Sequence, residues 1–261
     1  MVTSDQRRRQ LAREKFERQQ KRREEAQRKA KRRTRIIVAA VAVALVAGAG
    51  AYTNFRTESA NAKEPVEFPS SSPGAQSSEP KADEPKMAVD TKATYRMALT
   101  TNRGAVSITM DAAKTPRTVN SFKHLADKKY FDGTKCHRLT TQGIFVLQCG
   151  DPKGDGTGGP GYTIPDENLA SLGKPGADGA VTYKAGTVAM ANTGQPGTGG
   201  SQFFLVHKDT KLPPQYTPFG TMDAAGLKVV QEVARGGVAG GAQDGAPKKA
   251  VTIEKATVDK A

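Results

Sequence analysis

From about residue 89 onward, the chain consists of many short runs of β-forming residues separated by glycine-rich connections. The run at 94–111 alternates apolar and polar side chains around Asn102-Arg103-Gly104, a pattern that is typical of a β-hairpin. Within this region, helical spacing of apolar residues occurs at 114–129 and 223–234. Further strands are predicted at 135–139, 143–148, 186–191, 202–207, 217–222 and 251–258. Many short strands with two helices predict an antiparallel barrel or sandwich rather than alternating βαβ units.

A second feature is the uncharged, mostly apolar segment at residues 36–55. Twenty helical residues at 1.5 Å each span about 30 Å, which is the thickness of a bilayer core. Residues 1–35 hold 15 basic and 5 acidic residues, and a basic N-terminal flank stays on the cytoplasmic side. We therefore expect a basic cytoplasmic segment at 1–35, a single transmembrane helix at 36–55 and an extracytoplasmic domain anchored to the cell membrane.

A cleaved signal peptide is the alternative interpretation of this segment. The small residues of AGAGAY at 47–52 are suitable for a processing site, and cleavage would release a secreted domain. A charged region of 35 residues is long for a signal peptide, so the uncleaved anchor is favoured.

Residues 56–88 are rich in Pro, Ser and Glu and show no periodicity, which predicts a disordered linker before a folded domain at 89–261. Residues 1–35 carry +10 of the formal net charge of +14, so the remainder is only weakly basic. This distribution argues against a specific nucleic-acid partner of the folded domain. Two cysteines and three dispersed histidines show no metal-ligand spacing, and neither a metal nor a cofactor is expected.

Three motifs occur in a fixed order: FDGTKCHRLTTQGIFVLQCGD at 131–151, MAN at 190–192 and GSQFFL at 200–205. Together they resemble the cyclophilin peptidyl-prolyl isomerases, and the resemblance spans roughly residues 94–258. It implies a mainly β fold, an eight-stranded closed antiparallel β-barrel capped by two helices, with an active groove on its outer face. It also implies isomerisation of Xaa-Pro bonds, without a cofactor, in unfolded or extended proline-containing polypeptides.

The reaction breaks no σ-bond, because its barrier of about 18–20 kcal/mol is the lost resonance of the twisting amide. The resemblance implies that Arg138 is catalytic, donating to the prolyl nitrogen, and that Gln148 holds this arginine and contacts the substrate. An arginine suits this role because its guanidinium is permanently charged. The substrate-binding positions implied by the resemblance are Phe145, Val146, Ala191, Asn192, Gln202, Phe204, Leu212 and Tyr216.

Three departures from the family pattern lead to further hypotheses. Cys136 replaces the usual Phe before His-Arg, and the implied strand pairing would let Cys136 and Cys149 form a disulfide in an oxidising compartment. No Trp stands near Leu212, which implies weak cyclosporin binding. The longer loop after Arg138 leaves open a proline-peptide binding module without turnover, although the favoured function is an isomerase that assists folding of exported proteins.

Overall fold

The computed structural model describes residues 82–261, and the strands and helices form a mainly β domain with two helices. The basic segment, the expected transmembrane helix and residues 56–81 of the expected linker lie outside the described residues. Between residues 82 and 261, no helix is both long enough and apolar enough to cross a bilayer. The helices are α1 (Pro116–Asp127) and α2 (Ala224–Arg235).

Nine strands form one curved antiparallel sheet, and two more form a separate ribbon. The strands are β1 (Thr94–Thr101), β2 (Gly104–Asp111), β3 (Arg138–Thr140), β4 (Val146–Cys149), β5 (Val181–Tyr183), β6 (Thr187–Met190), β7 (Phe203–Val206), β8 (Thr210–Leu212), β9 (Pro218–Met222), β10 (Asp244–Gly245) and β11 (Ile253–Lys260). The large sheet has the order β10-β3-β4-β7-β6-β9-β2-β1-β11, and the ribbon pairs β5 with β8.

The expectation of a closed eight-stranded barrel is wrong, because the large sheet has nine strands and ends in two edges, β10 and β11. Strand β3 begins only at Arg138, and the residues before it approach β11 through an isolated bridge between Lys135 and Thr252. Among the described residues no continuous ladder joins β10 to β11, so the sheet is a half-barrel. The mainly β class and the two helices are confirmed.

Alternation of apolar and polar residues accounts for the longest strands and for the core. In β1, every second side chain is buried, and the β1–β2 hairpin turns at the predicted Asn102-Arg103-Gly104. Helix α1 has Pro116 in its first turn, where a missing backbone N–H costs no hydrogen bond. Its buried side includes Val119, Phe122 and Leu125, which pack into the core beside the sheet.

Residues 82–88 lie against the domain although the sequence places them in the linker. The side chain of Asn120 on α1 donates to the carbonyls of Pro85 and Lys86 and accepts from the backbone N–H of Ala88. The backbone N–H of Ala82 donates to the carbonyl of Gly161 at 2.8 Å. The chain therefore runs along α1 before it enters β1.

Candidate active site

The outer face of the sheet carries one lateral row of side chains that begins at Arg138. The strand register places Arg138 opposite Gln148, Gln148 opposite Phe204 and Phe204 opposite Ala189. Directly opposed residues in neighbouring strands have their side chains on the same face, about 5 Å apart at Cβ. A cationic group, an amide and an apolar surface are therefore adjacent on four consecutive strands.

Strand alternation separates two apolar clusters on the two faces of the sheet. Phe203 packs in the main core, whereas its neighbour Phe204 belongs to a second cluster on the outer face. This outer cluster contains Val146, Val181, Tyr183, Ala189, Ala191, Phe204, Val206, Leu212 and Tyr216.

The β5–β8 ribbon and the Tyr216 segment contribute side chains to the outer cluster. The Tyr216 ring stands edge-on to Phe204, with ring centroids 5.5 Å apart. The Tyr183 hydroxyl donates to the Tyr216 carbonyl at 2.9 Å and lies 3.2 Å from the Tyr216 backbone nitrogen. Burial raises the pKa of the Tyr216 hydroxyl, while its bond from Gln215 and the nearby charge of Arg138 oppose that shift. The tyrosine is therefore protonated at neutral pH.

Two buried glutamines join the row to a glycine-rich loop. Gln148 Nε2 donates to Gln202 Oε1 at 2.8 Å, and Gln202 Nε2 donates to the carbonyls of Gly156 and Gly158. The fully buried carboxylate of Asp151 organises the same loop by accepting from the backbone N–H groups of residues 153, 155 and 156. Gly158 approaches this carboxylate so closely that a Cβ would stand 2.0 Å from Asp151 Oδ1, and the position therefore requires glycine.

Arg138 is held on one side by a carboxylate from the far end of the chain. Its Nε donates to Asp244 Oδ1 at 2.7 Å and its Nη2 to Asp244 Oδ2 at 2.6 Å. Within the described residues, the buried atoms Arg138 Nη1 and Gln148 Oε1 have no hydrogen-bond partner. One donor of the guanidinium and one acceptor of the neighbouring amide thus remain available in the row.

The structure brings together most of the residues that the sequence assigns to the site. Arg138 and Gln148 face each other in the register, and Gln202 is bonded to Gln148. Val146, Ala191, Phe204, Leu212 and Tyr216 share the outer cluster. Asn192 lies beside them, and its side-chain amide donates to the carbonyl of Gln215 at 2.8 Å.

Phe145 lies apart from the outer cluster. Its ring packs edge-on to His207 under the ammonium of Lys208, beside a cleft of about 890 Å³ that α2 also lines. The backbone N–H of Ala191 donates to the carbonyl of Gln202 at 3.0 Å, so this donor is already used within the sheet. A backbone hydrogen bond of Ala191 to a bound peptide is therefore limited to its carbonyl.

The cysteines next to the row form the disulfide that the sequence analysis gives as a hypothesis. Cys136 is bonded to Cys149, so the covalent link joins the segment before β3 to the end of β4. Each half-cystine is within two residues of a polar residue of the row, Arg138 or Gln148. The link fixes the two strands that carry this polar pair.

Two residues of the site were not predicted from the sequence. Asp244 lies 106 positions from Arg138 in a segment rich in Gly and Ala, which has no strand periodicity. Tyr183 alternates with Val181 in β5, but three residues are too few for that alternation to stand out. Within residues 82–261, His, Cys, Asp and Glu side chains form no group of three that could hold a metal ion.

Comparison with protein families gives one match over most of the described chain. The family described as cyclophilin type peptidyl-prolyl cis-trans isomerase/CLD matches residues 96–258. A crystal structure of a cyclophilin type isomerase from Cryptosporidium parvum, in the presence of the dipeptide Ala-Pro, has a similar fold. Its TM-score is 0.51 at 23% identity, and the match covers 64% of this chain and 98% of that one.

Curated relatives give higher identities. A probable peptidyl-prolyl cis-trans isomerase B of Mycobacterium tuberculosis is 50% identical over 167 residues, covering 62% of this chain and 54% of the relative. The corresponding protein of Mycobacterium leprae is 48% identical over 176 residues, covering 64% of this chain and 58% of the relative. The chain thus spans little more than half the length of these relatives.

Proposed function

This chain belongs to the cyclophilin-type peptidyl-prolyl cis-trans isomerases, and we propose that it catalyses rotation about Xaa-Pro peptide bonds. The observation that supports this activity most strongly is the row that sets Arg138 and Gln148 beside the apolar surface of Phe204. A polar donor next to an apolar surface is the combination that a twisting prolyl bond requires.

Arg138 acts on the nitrogen of the twisting bond. As the C–N bond rotates, amide resonance is lost and the prolyl nitrogen regains a lone pair that accepts a hydrogen bond. A fixed guanidinium donates to that lone pair more strongly in the twisted state than in either planar state, which lowers the barrier. The side chain of Arg138 is only 14% exposed, so little water competes with the substrate for its donors.

The outer cluster holds the proline ring while the preceding carbonyl rotates. Phe204, Val146 and Leu212 are each buried to at least 95%, and their rotamers are restricted by the packing around them. A ring bound by dispersion and apolar burial stays fixed without directional bonds, so the acyl side is the part that turns. The neighbour crystallised in the presence of Ala-Pro is consistent with a proline-containing peptide as the substrate.

Replacement of Arg138 tests the activity. Arg138→Ala removes the donor, and we expect kcat/KM for a short Xaa-Pro peptide to fall by about 100-fold or more, as for loss of an oxyanion donor. The measurement is the rate of cis–trans exchange of the peptide by NMR. Arg96→Ala is the matched control, because Arg96 is an exposed arginine of β1 outside the row.

Two outcomes would contradict the proposed activity. Equal rates for wild type and Arg138→Ala would remove Arg138 from the reaction. A wild-type chain that binds the peptide but leaves the exchange rate unchanged would be a proline-peptide binding module, the alternative left open by the loop after Arg138.

For the cellular role, we propose an anchored enzyme that assists folding of exported proteins. The uncharged segment 36–55 and its basic flank support the anchor, and the Cys136–Cys149 disulfide is typical of an oxidising compartment outside the cytoplasm. Uncatalysed Xaa-Pro isomerisation takes tens to hundreds of seconds, which is slow enough to limit folding of unfolded substrates.

The lack of Trp in the chain supports weak cyclosporin binding.

A further inference from the structure

The carboxylate of Asp244 accepts two hydrogen bonds from one edge of the Arg138 guanidinium. Both bonds are short and parallel, 2.7 Å to Nε and 2.6 Å to Nη2, which is the side-on bidentate arrangement that fixes the plane of the group. Nη1, at the opposite corner, is buried and has no partner among the described residues. The bidentate bond to Asp244 therefore leaves Nη1 as the nitrogen of Arg138 that is available to a substrate.

The chain segment after α2 folds into a hairpin that places Asp244 beside Arg138. After α2, the chain folds back on itself through a bridge between Val238 and Pro247, and β10 then pairs with the edge of β3. Asp244 is opposite Thr140, so it is a diagonal neighbour of Arg138, within reach of a long side chain. Gly245 has a φ of +149°, and a Cβ there would stand 3.2 Å from Val238 Cγ1.

We propose that Asp244 is a positioning residue for the isomerase reaction and that it presents Arg138 Nη1 to the prolyl nitrogen. It touches neither the peptide nor the reacting bond. An arginine side chain has four rotatable bonds, and fixing them in advance avoids an entropic cost at the transition state. Within the described residues, Gln148 Oε1 is also without a partner, and it lies next to Arg138 in the row, where it is free to accept from the substrate.

Arg138 is the most buried basic residue of the ion pairs within residues 82–261, although Arg117 is bound to Glu84 through the same two nitrogens at 48% exposure. In the pairs Lys114–Asp111 and Lys184–Asp209, both side chains are at least 44% exposed, and such pairs contribute little. In the Arg138–Asp244 pair, the arginine is 14% exposed and bound through two atoms. A partly desolvated bidentate pair restricts its arginine far more than a solvated monodentate pair does.

The inference rests on the proposed isomerase activity, and Asp244→Asn tests it. The amide keeps the shape of the carboxylate but has one acceptor oxygen instead of two, and it has no charge. We expect kcat to fall about tenfold with KM changed less than twofold, because the donor becomes mobile while the apolar cluster that binds the proline is intact.

Two further variants serve as controls. Asp244→Glu, which keeps the charge, restores at least part of the loss. Asp127→Asn, in the exposed pair with Lys123, leaves kcat unchanged.

Two further measurements separate positioning from a general structural effect. In an Arg138→Lys background, which cannot form the bidentate pair, Asp244→Asn changes kcat less than twofold. In ¹⁵N-labelled wild-type protein at neutral pH, the Nε–H resonance of Arg138 is protected from exchange with water, and Asp244→Asn abolishes that protection.

Each opposite result would overturn the proposal. Three results would show that Asp244 does not position the donor. The first is an unchanged or increased kcat in Asp244→Asn, and the second is an equal loss in the Arg138→Lys background. The third is rapid exchange of the wild-type Nε–H of Arg138. Inactive wild-type protein would remove the proposed function as well, whereas an active protein indifferent to Asp244 removes only the positioning role.

Discussion

His137, next to the polar row, is half-buried, and its two ring nitrogens face the interior. Within the described residues, neither ring nitrogen has a partner, although both are shielded from water. Burial lowers the pKa of His137, the charge of Asp151 opposes this shift, and the charge of Arg138 adds to it. The ring is therefore predominantly neutral at pH 7.

The lowered pKa of His137 predicts how stability depends on pH. Below about pH 6.5, the unfolded chain takes up a proton that folded His137 does not, so the free energy of unfolding decreases as the pH falls from 7.5 toward 5. His137→Leu removes this contribution and also removes the unpaired ring nitrogens at position 137. We expect its melting temperature to be equal or higher at pH 7.5 and to fall less on acidification.

The measurement is the thermal unfolding of both proteins by circular dichroism at several pH values. Burial also lowers the pKa of His207, so the variant retains part of the slope. A His137→Leu protein with the same pH slope as wild type would contradict the prediction.

Long periodic elements were predictable from the sequence, whereas the shortest ones were not. The β1–β2 hairpin and both helices were predicted with bounds within about two residues, because each extends over several periods of its apolar pattern. Strands β5, β8 and β10 have two or three residues, too few for a pattern. Asp244 reaches the site on β10, so its contact with Arg138 follows from tertiary pairing alone.

The disulfide across β3 and β4 predicts a measurable loss of stability on reduction. It closes a loop with a sequence separation of 13, and the entropy lost by the unfolded chain corresponds to about 2–3 kcal/mol. We expect the double variant Cys136→Ala/Cys149→Ala to lose this amount in urea unfolding, and reduced wild-type protein to lose a similar amount. Reductant leaves the double variant unchanged, which is the internal control. Equal stability of oxidised and reduced wild-type protein would contradict the prediction.

The chain combines the cyclophilin-type domain with the segment proposed to anchor it. If residues 36–55 span the membrane, the full chain sediments with membranes and is released by detergent but not by high salt. Deletion of 36–55 makes it soluble, and deletion of 56–81 is the control that leaves it in the membrane. A released form shortened by about 50 residues would instead support signal cleavage.

The site is made from distant parts of the chain, and they differ in how they are brought together. Phe204 and Asp244 reach Arg138 only once the sheet has formed, since they are 66 and 106 positions away. Gln148, by contrast, shares with Arg138 a covalent ring closed between Cys136 and Cys149. In an oxidised but denatured chain, these two side chains stay within that small ring. The polar half of the row is thus kept together by a covalent bond, and the apolar half only by folding.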